Sequence, residues 1–271
     1  MPVLQANNAG PIEIYWQKSG QGEPVILVGG LTSTLEVWGR QTPALAAHHC
    51  VISFDNRGSG RTRTPTDDGV RTPQRFAGDV LALLDGLHLT RVHLVGASMG
   101  GMIVQEFALA HPSRLRSLTV CCSSFGGKNA VIAAPEVVRA MIEGSAEGAS
   151  PEALRAGMEV LFHPDSLKGE CDALNFYVGT KRAFPHTPEE IARRLTGIAS
   201  FDVFDALPRL TVPTLVLTGS HDRLVPPENS HRLAARIPGA QLTVIEGGGH
   251  VFFVEQPEAA NRALLDFFAK H

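Results

Sequence analysis

Six short apolar runs, at residues 24–30, 50–55, 91–96, 115–122, 214–219 and 242–246, punctuate the chain, and what lies between them narrows the possible folds sharply. The runs are rich in β-branched residues and bounded by glycine or polar residues. Most do not alternate apolar with polar positions, as expected of strands covered on both faces. Several of the intervening stretches carry helical patterns. In residues 72–87, Phe76, Val80, Leu83, Leu84 and Leu87 recur at spacings of three and four, which places them on one helical face. Residues 99–111 and 257–270 also read as helices, the second opened by Pro257 and Glu258, a pairing suited to a first turn. Strand–helix alternation predicts an α/β fold, a mostly parallel sheet with helices on both faces. Residues 3–6 and 12–17, flanking Asn7-Asn8-Ala9-Gly10, predict an antiparallel hairpin on the sheet edge and bring the expected strands to eight.

The alternation stops at residue 125 and resumes near 207, leaving a stretch of about 80 residues, too long for a single loop in a compact domain. Within it, residues 135–143, 151–161 and 188–198 are helix-like. The expected organisation is therefore a core of residues 1–124 and 208–271 interrupted by a helical cap at 125–207. Met141, Met158, Leu161, Phe162, Phe176 and Phe184 are expected to pack within the cap or on the sheet, with a minority lining a pocket.

Composition excludes several classes. With 24 basic and 27 acidic residues the net charge is −3, which gives no footprint for nucleic acid or anionic lipid. Apolar runs fall far short of the roughly 18 residues a membrane helix needs, and the N-terminus lacks a basic-then-apolar signal, so a cytoplasmic location is expected. Cys50, Cys121, Cys122 and Cys171 do not form a disulfide or zinc pattern and read as free thiols. The eleven histidines are scattered. His48-His49-Cys50, the densest group, reads as extended, with neighbours on opposite faces. Neither a metal nor a cofactor is expected.

Gly96-Ala97-Ser98-Met99-Gly100 is the sequence that points to chemistry. It directly follows one predicted strand and directly precedes a predicted helix, the strand–turn–helix setting of a nucleophile elbow. Ser98 could instead simply cap that helix. A serine hydroxyl needs a general base, itself oriented by a carboxylate. Thr218-Gly219-Ser220-His221-Asp222 and Gly247-Gly248-Gly249-His250 follow the last two predicted strands. Carboxyl ends of parallel strands share one edge, so Ser98, Asp222 and His250 could converge there. Taken singly, His250 could be a surface residue and Asp222 a helix cap.

With these motifs the chain resembles the α/β-hydrolase family over essentially its full length. Asp55-Asn56-Arg57-Gly58-Ser59-Gly60-Arg61-Thr62 is similar to the family's Asp-x-Arg-Gly-x-Gly-x-Ser/Thr segment. Residues 213–226 resemble its acid loop, and Gly249-His250 with Glu255-Gln256-Pro257-Glu258 its histidine loop and last helix. The resemblance implies Ser98 as nucleophile, His250 as base and then acid, Asp222 as its orienter, and an insertion that forms a lid. It also implies oxyanion donors at the backbone N–H groups of Met99 and Leu31. Many relatives carry His-Gly where this chain has Gly29-Gly30, a departure; the two glycines could also mark just a tight turn. Asp55 and Arg57 invite a catalytic reading, because charged groups ending a buried strand are costly unless paired, but the resemblance implies that this segment braces the loops beneath the site.

The expected function is hydrolysis of a small carboxylic ester or lactone through a serine acyl-enzyme, with similarity to enol-lactonases and small esterases. C–C bond hydrolases and cofactor-free perhydrolases share the triad, and some hydrolase-like proteins act as ligand receptors. Arg139, Arg155, Lys181 and Arg182 could meet a substrate carboxylate or form a solvated helix face. The expected partner is a small molecule, with a homo-oligomer left open.

Overall fold

The computed structural model describes residues 3–7, 10–168 and 171–271; Asn8 and Ala9 of the expected hairpin turn lie outside them. The strands are β1 (Val3–Ala6), β2 (Ile12–Ser19), β3 (Pro24–Val28), β4 (Cys50–Phe54), β5 (Val92–Ala97), β6 (Leu115–Cys121), β7 (Thr214–Gly219) and β8 (Gln241–Ile245). They form an eight-stranded sheet in the order β1-β2-β4-β3-β5-β6-β7-β8. β1 and β2 pair antiparallel, as do β2 and β4; every other pairing is parallel. Every residue of β4, β5 and β7 is buried, which is why their sequences are continuous apolar runs.

The helices are α1 (Thr42–Ala46), α2 (Pro73–Gly86), α3 (Met99–Ala110), α4 (Pro135–Ser145), α5 (Pro151–Leu161), α6 (Asp172–Ala183), α7 (Pro188–Ala199), α8 (Pro227–Arg236), α9 (Phe252–Glu255) and α10 (Pro257–Phe268). Local chemistry fixes several starts. Thr72, Ser150 and Thr187 each accept a first-turn N–H through the side chain, and each precedes a proline that needs no donor. Of the α2 stripe, Phe76, Val80, Leu83 and Leu84 are buried against the core. His48 and His49 sit in the turn that closes α1 rather than on an extended segment, both amides bonding the Leu45 carbonyl.

α4 to α7 lie between β6 and β7 in the chain, where the long helical insertion was expected. Within it, α4 packs on α5 and Gly144 meets Gly157 where they cross. No helix among the described residues is long and apolar enough to cross a membrane. The consequence for function is positional: the carboxyl ends of β3, β5, β7 and β8 open onto one edge, beneath the insertion.

Candidate active site

Ser98 stands between β5 and α3 with φ 57° and ψ −121°, a conformation rare for a residue with a side chain. Backbone hydrogen bonds hold it there. Its N–H donates to the Cys121 carbonyl (2.9 Å), and its carbonyl accepts from Gly101 N (2.8 Å) and Ser123 Oγ (2.7 Å). The turn is this tight because Gly100 has no side chain: a Cβ there would lie 2.2 Å from the Val28 carbonyl. Although Ser98 occupies the N-cap position of α3, its side chain makes no cap hydrogen bond. The hydroxyl faces a cavity instead.

Asp222 and His250 meet above the ends of β7 and β8. His250 Nδ1 lies 2.8 Å from Asp222 Oδ2, while Asp222 Oδ1 accepts the Leu224 and Val225 amides at 2.9 and 2.8 Å. Both side chains are buried, and α8 starts five residues beyond Asp222 without using it as a cap. The carboxylate thus fixes the histidine tautomer, with Nδ1 carrying the proton and Nε2 open to accept one. Glu255 secures the histidine loop, accepting Gly249 N through Oε2 and His163 N through Oε1, each at 2.7 Å. That role is invisible in sequence, because His163 belongs to the insertion 92 residues away.

The loop after β3 passes directly over Ser98. A Cβ on Gly30 would lie 3.2 Å from both the Ala97 carbonyl oxygen and Ser98 Cβ, tighter than ordinary contact, so glycine at that position allows the approach. Each carbonyl from Gly29 to Thr32 has a donor. Gly29 O accepts from Asn56 Nδ2 at 2.9 Å, and Gly30 O from Ser33 N at 3.3 Å. Thr32 O accepts from Lys181 Nζ at 2.5 Å, and Leu31 O from the Arg194 guanidinium. The Leu31 and Met99 amides, in contrast, have no protein acceptor among the described residues.

The segment after β4 does brace this loop. Asp55 accepts the Leu35 and Arg61 amides, and Arg57 grips Asp79 through two nitrogens, both side chains buried. Burial pushes the Asp55 and Asp79 carboxyls up, opposed by those hydrogen bonds.

Leu31, Ser98, Met99 and His250 share the floor of one cavity of about 170 Å³, and Met141, Leu161 and Tyr177 form part of its roof. No Asp, Glu, Lys or Arg side chain among the described residues lines it. Arg139, Arg155 and Arg182 are exposed and stand outside it. Lys181 departs from both expectations: it is buried, yet its ammonium is spent on Thr32 rather than turned to the cavity. Burial, then Arg194, pulls its pKa down to about 7. Neither Lys181 nor Arg194 was legible as a loop-holding group, because their partners are backbone carbonyls 149 and 163 residues away. No group of three or more His, Cys, Asp or Glu among the described residues could hold a metal ion.

A model of the α/β-hydrolase fold family matches residues 23–257. A relative from Azorhizobium caulinodans that bears the name carbamate hydrolase RutD is 32% identical over 262 residues, covering 96% of each chain. A malate-bound esterase from Thermogutta terrifontis superposes with a TM-score of 0.84 at 28% identity, covering 100% of this chain and 99% of the other. The enol-lactonase of Burkholderia xenovorans gives a TM-score of 0.83 at 26% identity, covering 99% and 100%.

Proposed function

The chain belongs to the α/β-hydrolase fold family, and on that footing we propose that it hydrolyses a small, neutral carboxylic ester or lactone through a serine acyl-enzyme. The observation that carries the reading is the convergence of Ser98 and His250 on one cavity, with His250 Nδ1 held 2.8 Å from Asp222. In this reading Ser98 Oγ attacks the acyl carbon while its proton passes to His250 Nε2. The C–O bond to the leaving alkoxide breaks and the alkoxide takes that proton; for a lactone it remains tethered. Water then repeats the sequence on the acyl-enzyme and releases the acid. The Leu31 and Met99 amides would hold the oxyanion, each worth about 3 kcal/mol by analogy with measured oxyanion donors. Residues 125–207 form the lid in this scheme.

Neutrality of the substrate rests on the lining. An anionic group would lose its hydration without gaining a cation, a cost of several kcal/mol. The carbamate hydrolase name of the relatives favours a second reading, attack on a carbamate carbonyl, which the same residues could perform on an uncharged carbamate ester.

p-Nitrophenyl butyrate should give a burst of nitrophenolate stoichiometric with enzyme, lost in Ser98→Ala. Neutral esters and lactones should outperform carboxylate-bearing analogues of the same length by at least about 100-fold in kcat/KM. A preference for the charged analogues, or ester turnover that survives Ser98→Ala, would overturn the proposal.

A further inference from the structure

The loop that carries the Leu31 amide is held from above by two buried cations of the insertion. Lys181 on α6 donates to both Thr32 O (2.5 Å) and Thr32 Oγ1 (2.6 Å), with its ammonium 4.9 Å from the Tyr177 ring centre. Arg194 on α7 donates to Leu31 O, to Arg57 O (2.8 Å) and to Ser59 Oγ (2.9 Å), and is neutralised by Glu190 (2.8 Å). The peptide that presents its carbonyl to Lys181 is Thr32–Ser33, whose N–H donates to Gly30 O. The peptide that owns Gly30 O is Gly30–Leu31, whose N–H is the Leu31 donor. An ammonium bound at one end of this chain therefore polarises the N–H at the other, since linked peptide dipoles reinforce one another where the dielectric is low.

We propose that Lys181 is a positioning residue for the reaction, whose positive charge holds the Thr32 carbonyl and, relayed through the Thr32–Ser33 and Gly30–Leu31 peptides, strengthens the Leu31 N–H as oxyanion donor. The inference rests on the serine acyl-enzyme reading. It adds a charge that acts on the transition state without entering the cavity, which reconciles an uncharged lining with electrostatic stabilisation.

The surroundings of Lys181 make its charge titratable near neutrality. Arg194 from α7 is the cation bearing on it; His186, between α6 and α7, is itself pulled down to about 2 by burial and then by Arg194 and Lys181. At the far end of α6, Arg40 is engaged by Asp172, and Glu255 by the histidine loop. No carboxylate among the described residues hydrogen-bonds Lys181, so raising the pH through about 7 removes the charge while leaving an amine that still donates.

The test is the pH profile of p-nitrophenyl butyrate hydrolysis by wild type, Lys181→Met and Lys181→Gln, each checked for folding by circular dichroism. At pH 6, Lys181→Met should lower kcat about 10- to 100-fold with KM little changed, because the relay serves the oxyanion and not the ground state. Lys181→Gln keeps a donor without charge; it should fall below wild type at pH 6 and converge with it by pH 9. Affinity for a boronic acid analogue should drop in parallel with kcat. If Ser98-dependent turnover persists and both variants keep wild-type kcat and the same alkaline limb, the relay is overturned and the serine reading stands. If turnover does not depend on Ser98, both fall together. Should Lys181→Met fail to fold, the comparison of Lys181→Gln with wild type across pH decides alone.

Discussion

The two oxygens of Asp222 have different partners, and that division predicts what a nearly isosteric change does. Oδ1 ends the acid loop by accepting the Leu224 and Val225 amides; Oδ2 receives the His250 ring. In Asp222→Asn one oxygen becomes an NH₂ donor. Facing His250, it selects the tautomer with a protonated Nε2, which cannot accept the Ser98 proton; facing the two amides, it sets donor against donor. Either way kcat should fall about 10³- to 10⁴-fold with KM nearly constant. Steady-state kinetics on p-nitrophenyl butyrate checks this, and an unchanged kcat would mean that another carboxylate orients His250. At this scale sequence was informative where a residue acts through a local motif. Ser98, Asp222 and His250 each lie in a loop that follows a strand, beside glycines, whereas Lys181 and Arg194 reach backbone atoms far away in the chain, and nothing about a lysine at that spacing announces a carbonyl partner.

Among the elements, α7 is tied to the core most firmly. Glu190 accepts from Arg71 Nε (2.7 Å) and Nη2 (3.0 Å) and from Arg194 Nε (2.8 Å), so one carboxylate of the insertion joins a core arginine to a cap arginine, both buried. Arg71 is also clasped by Asp67, whose carboxyl is held down to about 2, chiefly by that hydrogen bonding. An insertion that swung freely about both its connections would have to break these buried ion pairs, which costs several kcal/mol. We expect motion to be greatest in α4 and α5, which make no buried ion pair to the core among the described residues. Glu190→Gln should destabilise the protein by about 2–3 kcal/mol, lowering Tm by roughly 5–10 °C, and should quicken amide hydrogen exchange in α7 more than in α4. Equal exchange in both helices would argue against an anchored α7. α5 and α7 were legible, since Ser150-Pro151-Glu152 and Thr187-Pro188-Glu189 are capping sequences, whereas α6 was not expected from the sequence; the ion pair that fastens α7 was not legible either, because Arg71 stands in the loop before α2, 119 residues from Glu190.

Across the whole molecule, the sheet was legible because burial on both faces leaves its imprint in the central strands β3 to β7, and because chain order placed Asp222 and His250 after the insertion and on the same edge as Ser98. The opposite edge holds chemistry of another kind. His93 on β5 is fully buried, 2.8 Å from Ser117 Oγ and packed 4.6 Å from the Phe268 ring. Burial pulls its pKa down to about 4 against the attraction of Glu23, pulls His49 down beside it, and pulls His186 down to about 2 beneath the cap. These groups take up protons near pH 6.5 once the chain unfolds but resist them when folded, so the unfolded state binds more protons between about 6.5 and 4. Stability is therefore fully present above pH 6.5 and is lost as pH falls toward 4, while Asp55 and Asp79, pushed up by burial, pull the other way. His93→Asn keeps a partner for Ser117 and removes the titration. Urea unfolding at pH 7 and pH 4.5 should show wild type losing roughly 2–3 kcal/mol more than His93→Asn between the two conditions; parallel losses would mean that the buried histidine takes up its proton in the folded protein at the same pH as in the unfolded chain.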